Sequence, residues 1–485
     1  MVDSLATYRR VIIFILLFLV PAAQALLPID DPDIWWHLRT GQWIISHGRV
    51  PWTDPFSTYG AGKFWIAYSW LFDILMYGIY SAAGLLGLVI FKVAFSLIIA
   101  LALYLLVRRA GLPFVAEVLI TAVALFCLKP VMTPRPWLFS IFLFILELHI
   151  IFKTSESVKN SALFFLPLLF AIWANIHVQF IYGLAALALF TFEPLIQKTI
   201  HPRGSISSGE PNLRQRLLVM VLSLAATLVT PYHVFLYKPI FEYAVQTQAF
   251  QAIEELHPMF FRSPGDWLVL ALTLGAGFSL GWRRERRAFI YLLFGMGIFL
   301  AFRAKRDVWI LIVISLAIIG QWAKNDGSDL ARYQFTPGRL MSIAGGVVLS
   351  LLALGTYRGI TEAGLRRHVA SHFPVNAVSY VKTHFLPGPV YNHLDWGGYL
   401  IWALPGWPVS MDGRTNLQGE ERLQRSLATW AGFPAWDKDP DLNRARLIIT
   451  KLQLPLYFLL RTDPRFRLVH QDEVAAIFVA ADKAK

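Results

Sequence analysis

Residues 85–107 read LLGLVIFKVAFSLIIALALYLLV, and this stretch decides the class of fold. Its one charged residue is Lys92. An α-helix needs about 17–25 predominantly apolar residues to cross a bilayer, whereas strands usually have about 3–10 residues. The stretch therefore predicts a membrane-spanning helix, and residues 11–28 predict another.

The composition of the whole chain agrees with a membrane protein. Of its 485 residues, 56% are hydrophobic and 15% are charged, with a mean hydropathy of +0.52; soluble proteins carry about 25% charged residues. The net charge of +13 would suggest a nucleic-acid partner in a soluble protein. Because Lys and Arg also collect in the cytoplasmic loops of membrane proteins, we expect membrane lipids and no nucleic acid as partners.

Basic residues predict the direction in which the chain crosses the membrane. Arg9 and Arg10 place the N-terminus in the cytoplasm, and the pairs and clusters at 108–109 and 283–287 then fall inside as well. Residues 8–25 also resemble a signal peptide, but the apolar stretch is longer than usual, which favours an uncleaved first span. About eleven spans result, or twelve or thirteen if interfacial segments such as residues 64–80 cross. The predicted spans are 11–29, 85–107, 113–128, 136–152, 161–174, 178–194, one ending near 230, one beginning near 266, one ending near 302, one ending before 324, and 341–357.

The composition changes after about residue 358. Gly, Pro and charged residues separate short apolar runs, which predict strands at 389–392, 408–411, 447–450 and 473–480. Helical patterns such as 374–384 and 420–430 alternate with them. We therefore predict two domains. Residues 1–357 form a mainly α, polytopic membrane helix bundle whose first outer loop, residues 30–69, contains interfacial helices. Residues 358–485 form a small extracytoplasmic α/β domain, and the protein is placed in the inner membrane.

The first outer loop opens with three carboxylates, in residues 30–38, DDPDIWWHL. Asp31 suits the N-cap of a helix and Pro32 its first turn. One cap needs one carboxylate rather than three, and acids near the membrane are costly unless they are used. Asp31 and Asp33 are therefore candidate catalytic residues, and they are also the candidate ligands if the protein binds a divalent cation. The alternative is purely structural, with Asp31 as a cap and the tryptophans as an aromatic belt.

Aromatic and polar residues near the outer face are candidate substrate contacts. Six of the 17 Trp lie between residues 35 and 70. Aromatic rings pack against sugars, but they also anchor proteins at membrane interfaces, and composition does not separate these uses. The candidates are Trp35, Trp36, His37, Asp54, Asn175, His177, Glu254 and His257.

Cations at outer turns are disfavoured by the positive-inside rule. Arg303, Lys305 and Arg306 lie at one such turn, and Arg135 lies at another. Because Arg makes short bidentate contacts to phosphate oxygens, these residues are candidate ligands for a lipid phosphate. Binding of lipid headgroups, or pairing with Asp307, is the alternative.

These features together resemble the GT-C class of membrane glycosyltransferases, which includes the protein mannosyltransferases and the aminoarabinose transferase of lipid A. Several short stretches look like a largely uncharacterised bacterial branch of that class. They are residues 31–38 (DPDIWWHL), 48–51 (GRVP), 54–57 (DPFS), 135–136 (RP), 173–177 (WANIH), 395–400 (DWGGYL) and 412–414 (DGR).

The resemblance implies sugar transfer from a polyprenyl-phosphate donor to an acceptor glycan, lipid or protein. Asp33 or Asp31 would be the general base. The class often has an adjacent Asp-Glu pair here, so Asp-Pro-Asp leaves the choice open. The residues implied to hold the lipid phosphate are Arg303, Lys305, Arg306 and Arg135.

Two other functions remain open. One is a transporter or flippase of lipid-linked sugars, although charge gathers at the outer face and the spans are nearly free of it. The other is a non-catalytic envelope assembly or binding protein whose C-terminal domain carries the function.

Overall fold

A computed structural model describes residues 2–154, 160–200, 211–245, 254–321 and 336–481. Parts of three predicted cytoplasmic loops, at 155–159, 201–210 and 322–335, lie outside the described residues. The chain divides into two compact units, which are described separately. The helical unit comprises Met1–Leu27, Val89–His233 and Ile253–Ile360, and the mixed unit comprises Pro28–Leu88, Val234–Ala252 and Thr361–Lys485.

This division differs from the two predicted domains: residues 70–88 and 234–252, inside the predicted membrane domain, belong to the mixed unit. The boundary after Ile360 lies close to the predicted one after residue 357. However, residues 30–69, assigned by the prediction to the membrane domain, cluster with residues 361–485 in the mixed unit.

The helical unit is built from apolar helices. Apart from α2 (Ile34–His47), the helices in the first three quarters of the chain are α1 (Val2–Ala25), α3 (Trp70–Val107), α4 (Phe114–Leu128), α5 (Trp137–Thr154), α6 (Leu166–Ile176), α7 (Phe180–Ile200), α8 (Leu213–Ala226), α9 (Tyr237–Val245), α10 (Pro264–Trp282), α11 (Ala288–Arg303), α12 (Val308–Ile319) and α13 (Pro337–Tyr357). Of these, α9 and the first part of α3 belong to the mixed unit.

A helix coincides with each of the eleven predicted spans. Among the described residues, five helices are long and apolar enough to cross a membrane by themselves. They are Trp70–Ala110, Phe114–Val131, Trp137–Thr154, Phe180–Thr199 and Pro337–Tyr357. The prediction of a mainly helical membrane protein is confirmed, while the count of eleven spans and their orientation stay predictions.

The start of α3 differs from the predicted interfacial helix at 64–80. Phe64 forms an antiparallel bridge with Thr53, and the amide of Trp65 donates to the Trp52 carbonyl at 3.0 Å, so these residues cannot enter a helix. Helix α3 begins instead at Trp70 and runs across a break at Gly84, where φ is +61°. The amide of Leu86, just beyond this break, donates to a Glu362 carboxylate oxygen at 3.1 Å.

The mixed unit contains a four-stranded sheet with strand order β1-β2-β4-β3. Strands β1 and β2 are parallel, and the other two pairs are antiparallel. The prediction of a small α/β region is confirmed, although β3 was not among the predicted strands. The strands are β1 (Val390–Asn392), β2 (Leu447–Lys451), β3 (Phe466–Gln471) and β4 (Ala475–Ala480). The helices of this part are α14 (Glu362–His372), α15 (Val375–Thr383), α16 (Leu394–Ala403), α17 (Thr415–Gln418), α18 (Glu420–Trp430), α19 (Pro440–Asn443) and α20 (Pro455–Leu460).

Residues 30–69, the predicted first outer loop, join this sheet through Val409. Val409 forms parallel bridges with Val390 of β1 on one side and with Ser57 of the loop on the other. The amide of Thr58 donates to the Val409 carbonyl at 2.9 Å, and the Val409 amide donates to the Phe56 carbonyl at 3.2 Å. The loop is therefore hydrogen-bonded to the C-terminal part of the chain.

Two glycines allow α16 to approach its neighbours closely. A Cβ atom on Gly398 would lie 2.4 Å from the Pro32 carbonyl oxygen, and one on Gly397 would lie 2.0 Å from the Met411 carbonyl oxygen. Real Cβ atoms do not approach backbone oxygens this closely, so only glycine fits at both positions. The Gly-Gly pair thus packs the first outer loop and the 411–414 segment against α16.

A cluster of buried charged side chains joins α7, α8 and the start of α11 in the helical unit. Arg216 of α8, fully buried, donates to a Glu193 carboxylate oxygen of α7 at 3.0 Å. Arg287, just before α11, donates to both Glu193 oxygens at 2.7 and 3.0 Å. The carboxylate of Glu193 therefore neutralises a guanidinium that has no access to water.

We expect Glu193→Ala to lower the stability of the helical unit by about 3–5 kcal/mol, because it leaves the Arg216 charge buried without its carboxylate. Unfolding of the detergent-solubilised protein, followed by tryptophan fluorescence, measures this effect. The control is Glu421→Ala, which removes an exposed carboxylate paired with Arg425 and costs about 1 kcal/mol or less. Equal unfolding temperatures for the two variants would contradict the expectation.

Candidate functional site

The two candidate acids lie at the start of α2 in the mixed unit. The Asp31 carboxylate accepts a hydrogen bond from the Asp33 amide at 3.0 Å, and Asp31 is only 7% exposed. Helix α2 begins at Ile34, so Pro32 precedes the helix instead of lying in its first turn, and the residue before the helix is Asp33 rather than Asp31. Asp31 therefore holds the turn that presents Asp33, which is half-buried.

The carboxylate of Asp33 lies against Gly413. A Cβ atom on Gly413 would fall 2.0 Å from Asp33 Oδ1, so any side chain at position 413 would displace the carboxylate. The stretch Asp412-Gly413-Arg414, noted in the sequence, thus contributes the surface on which this candidate base rests.

A buried ion triad lies next to Gly413. The Arg414 guanidinium donates to Asp54 Oδ1 at 2.7 Å, and to Asp412 Oδ1 and Oδ2 at 2.8 and 2.7 Å. The side chains of both acids are 0% exposed, and that of Arg414 is 2% exposed. Asp54 also accepts hydrogen bonds from the amides of Phe56 and Ser57, both at 3.1 Å.

This triad determines what Asp54 and Arg414 can do. Burial alone would disfavour the charge on Arg414, but the carboxylates of Asp412 and Asp54 outweigh it and raise the pKa of the guanidinium above its ordinary value. Asp54, a predicted candidate substrate contact, has its carboxylate enclosed by protein donors. In this structure its role is to hold residues 54–57 to the 412–414 segment.

The other candidates in this loop are also buried in the mixed unit. Trp35 packs edge-on against Phe373 and Tyr399, and Trp36 stacks on His37 at 3.6 Å between ring centroids. Trp35 and Trp36 are 3% and 6% exposed, so they belong to the core of this unit rather than to an exposed aromatic belt.

His37 is held by a second acid of the same unit. Its Nδ1 lies 2.5 Å from the carboxylate of Asp73 in α3, and both side chains are buried. Asp73 was not predicted, although a single acid near the start of a long apolar run was a usable signal.

A cavity of about 610 Å³ lies beside α2 in the mixed unit. Asp31 and Asp33 are not among its lining residues, so it is separate from the candidate base. The aromatic and cationic lining residues are Trp35, Tyr80, Tyr399, Trp402, Arg39, Arg366 and Lys382.

The predicted phosphate ligands belong to the helical unit. Arg303, Lys305 and Arg306 lie at the turn between α11 and α12, which ends at the buried Asp307. Asp307 accepts hydrogen bonds from the Tyr182 hydroxyl at 2.9 Å and from the Gln179 amide at 3.2 Å. Burial raises the pKa of Asp307, although the nearby Arg306 and the hydrogen bond from Tyr182 lower it.

The remaining cation and the acidic stretch at 254–257 lie beside this turn. The Lys305 amide donates to the His257 carbonyl at 2.9 Å. Arg135 lies 3.5 Å from a Glu255 carboxylate oxygen and 4.7 Å from the centroid of the Trp137 ring. Glu254, a predicted contact, is exposed, and its carbonyl accepts from the His257 amide.

His177 lies in the turn between α6 and α7 of the same unit. The Trp173 indole donates to the Ser140 hydroxyl at 2.8 Å, which leaves that hydroxyl to donate to His177 Nδ1, also at 2.8 Å. Burial, and secondarily the positive charge of Arg306, lowers the pKa of His177 to about 3. Its neighbour Asn175 donates to the carbonyls of Ala171 and Val229, both at 2.7 Å.

The structure therefore brings together two sets of predicted residues, each within one unit. The acid loop of the mixed unit holds Asp31 and Asp33, and the basic turn of the helical unit holds Arg303, Lys305 and Arg306 with Arg135, His177, Glu254 and His257 around it. Tyr182 and Gln179, whose side chains donate hydrogen bonds to Asp307, were not predicted. Single polar residues among apolar ones give no local pattern.

We expect Arg414→Ala to release the first outer loop, because Asp54 and Asp412 would remain buried without a counter-charge. Trypsin cleavage at Lys63, quantified by mass spectrometry on folded protein, should then rise several-fold. Arg465→Ala is the matched control, since it removes a more exposed guanidinium that pairs with Asp463. Wild-type cleavage in Arg414→Ala would show that the triad does not hold the loop.

The lowered pKa of His177 gives a pH dependence of stability. An unfolded histidine titrates near 6.5, whereas the folded one stays neutral down to about pH 3. The unfolded state therefore binds the proton first, and stability is lost as the pH falls from about 6.5 toward 3. We expect the unfolding temperature to fall less between pH 7.5 and pH 5 in His177→Asn than in the wild type. A variant at the exposed His384 should show the same change of unfolding temperature with pH as the wild type. If His177→Asn also shows the wild-type change, His177 is not the source of the pH dependence.

The described fold is similar to a solved structure. The crystal structure of the Archaeoglobus fulgidus oligosaccharyltransferase in the apo form, a GT-C glycosyltransferase, matches 90% of this chain and 69% of that chain, with a TM-score of 0.50 and 11% sequence identity. At this identity the likeness shows the fold alone. No protein-family model matches the chain, and no curated protein matches it either.

Proposed function

We propose that this chain is a membrane glycosyltransferase that transfers a sugar from a polyprenyl-phosphate donor to an acceptor on the extracytoplasmic face. The observation that carries the proposal is the fold, which resembles that of an oligosaccharyltransferase over 90% of the chain. A transferase of this kind needs a base for the acceptor and cations for the leaving phosphate. The sequence supplies both types of residue.

Asp33 is our candidate for the general base, with Asp31 as the residue that positions it. Asp33 is half-buried, so part of its surface remains accessible. Asp31 is nearly buried and holds the Asp33 amide. The contact of Asp33 with Gly413 gives the carboxylate a defined place, which a group that transfers protons requires.

The proposed reaction is a single displacement. The acceptor hydroxyl oxygen attacks the anomeric carbon, the bond from that carbon to the phosphate oxygen breaks, and polyprenyl phosphate leaves with the electron pair. The Asp33 carboxylate takes the hydroxyl proton and later releases it to water. Because there is no covalent intermediate with the protein, the configuration of the anomeric carbon is inverted. A carboxylate near this carbon also stabilises the positive charge that develops on the sugar ring.

The basic turn is our candidate for holding the lipid phosphate. Arg303, Lys305 and Arg306 lie within four consecutive residues. The carboxylate of the next residue, Asp307, is buried and accepts hydrogen bonds from Tyr182 and Gln179. Cationic donors aimed at a leaving phosphate stabilise the charge that it gains in the transition state.

Reconstituted protein with a polyprenyl-phosphate sugar and membrane acceptors tests the proposal. We expect Asp33→Asn to lower the rate of transfer by about 100-fold or more, the range of general-base catalysis, and Arg306→Ala to lower it comparably. Asp463→Asn and Arg284→Ala are controls that change the same residue types outside both sets of candidate residues. Full activity in Asp33→Asn and Arg306→Ala would refute the assignment, and donor flux without a covalent product would favour the flippase.

A further inference from the structure

Three side chains capable of binding a metal converge within the mixed unit. They are Asp30, the first residue of the predicted outer loop, and His368 and His372 of α14. One ligand atom from each lies within 4.8 Å of the other two. Asp30 and His368 are 338 positions apart in the sequence, and they already share a hydrogen bond between the carboxylate and Nε2.

The helix presents the two imidazoles together. Residues four apart lie on the same side of an α-helix, and the ring centroids of His368 and His372 are 4.3 Å apart. The spacing His-x3-His is one of the spacings found in zinc sites. This arrangement is therefore a pair of ligands on a rigid element, with the third ligand supplied by another segment of the same unit.

Hydrogen bonding sets the tautomer of His372. The Ser371 hydroxyl donates to the His368 carbonyl at 2.8 Å, and His372 Nδ1 lies 3.0 Å from the same carbonyl. Since a carbonyl accepts, Nδ1 carries the proton and Nε2 keeps its lone pair. Histidines that bind metals commonly donate their other ring N–H to a backbone carbonyl in this way.

The last turn of α14 is also held in place from outside the helix. The Trp396 indole donates to the His372 carbonyl at 3.1 Å. Trp396 belongs to α16, and Gly398 of the same helix packs against Pro32. The element that carries the two histidines and the segment that follows Asp30 are therefore fixed by the same helix.

We propose that Asp30, His368 and His372 bind one divalent transition-metal ion, with zinc as the best fit. Two imidazoles and one carboxylate favour zinc over magnesium or calcium, which prefer oxygen ligands alone. A tetrahedral site with bonds of about 2.0–2.1 Å requires ligand atoms about 3.3 Å apart, so small side-chain rotations complete the set. Asp30 and His372 are exposed, so the ion enters from solvent and a water molecule takes the fourth position.

The ion would act as a cross-link. It would tie the residue next to Asp31 to α14, and so fix the end of the loop that carries the candidate base. This metal site is distinct from the cation site expected at Asp31 and Asp33, which stays a prediction. The site does not depend on the proposed sugar transfer.

Metal binding to the full chain tests the site. Protein without a polyhistidine tag is stripped with a chelator and titrated with Zn²⁺ by calorimetry, and then with Co²⁺ while the visible absorption is recorded. We expect one strong site per chain and the d–d bands of four-coordinate cobalt. Asp30→Asn, His368→Ala and His372→Ala should each weaken binding by about tenfold or more, the scale on which even outer-shell changes act.

Matched controls separate this site from surface histidines. His384→Ala removes an exposed histidine at the end of α15, whose Nδ1 likewise lies 3.0 Å from a backbone carbonyl of its own helix, and it should bind zinc like the wild type. His372→Cys should restore much of the binding lost in His372→Ala, because a thiolate is also a zinc ligand. Zinc should raise the unfolding temperature of the wild type and of His384→Ala, but not that of His368→Ala.

The proposal is wrong if the stripped wild type shows no stoichiometric site. It is equally wrong if Asp30→Asn, His368→Ala and His372→Ala bind zinc as tightly as His384→Ala, since the ions would then occupy other surface groups. Loss of sugar transfer with retained zinc binding would leave this site intact, so the two proposals fail independently.

Discussion

The mixed unit depends on one buried guanidinium. Arg414 makes three hydrogen bonds of 2.7–2.8 Å to the carboxylates of Asp54 and Asp412. Moving three charges out of water is costly, and such a group is tolerated only when its geometry is good and its remaining lone pairs are satisfied. Here the second condition is met by the Phe56 and Ser57 amides on Asp54 and by the Gln418 side chain on Asp412.

The same guanidinium connects distant parts of the sequence. Asp54 belongs to the first outer loop, and Asp412 and Arg414 follow the segment that pairs with β1. The same two segments are also joined by the bridge from Val409 to Ser57, and a second bridge links Val409 to Val390 of β1. Gly413, between the two triad residues, then lies against Asp33. The position of the candidate base therefore follows from an ion triad that has no part in the proposed chemistry.

Local patterns in the sequence predicted the elements well but not their long-range contacts. The lengths of the apolar runs predicted where helices lie, because a bilayer sets a minimum length. Alternating short runs predicted β1, β2 and β4. By contrast, nothing near Asp54 indicates that its partner is 360 residues away. Trp35 and Trp36 were open to interpretation as an aromatic belt for the same reason, since Trp35 packs against Phe373 and Tyr399 and Trp36 lies next to Gly398.

Charge is distributed unevenly between the two sets of candidate residues. The triad of Asp54, Asp412 and Arg414 carries one net negative charge, and Asp31 and Asp33 add to it. This excess of negative charge favours a sugar ring that becomes positive and disfavours a phosphate. The basic turn, with Arg303, Lys305 and Arg306, has the opposite preference. The proposed donor, a lipid-phosphate sugar, contains both kinds of group, so the proposed transfer uses both sets of residues. In this chain the two sets of residues belong to different compact units.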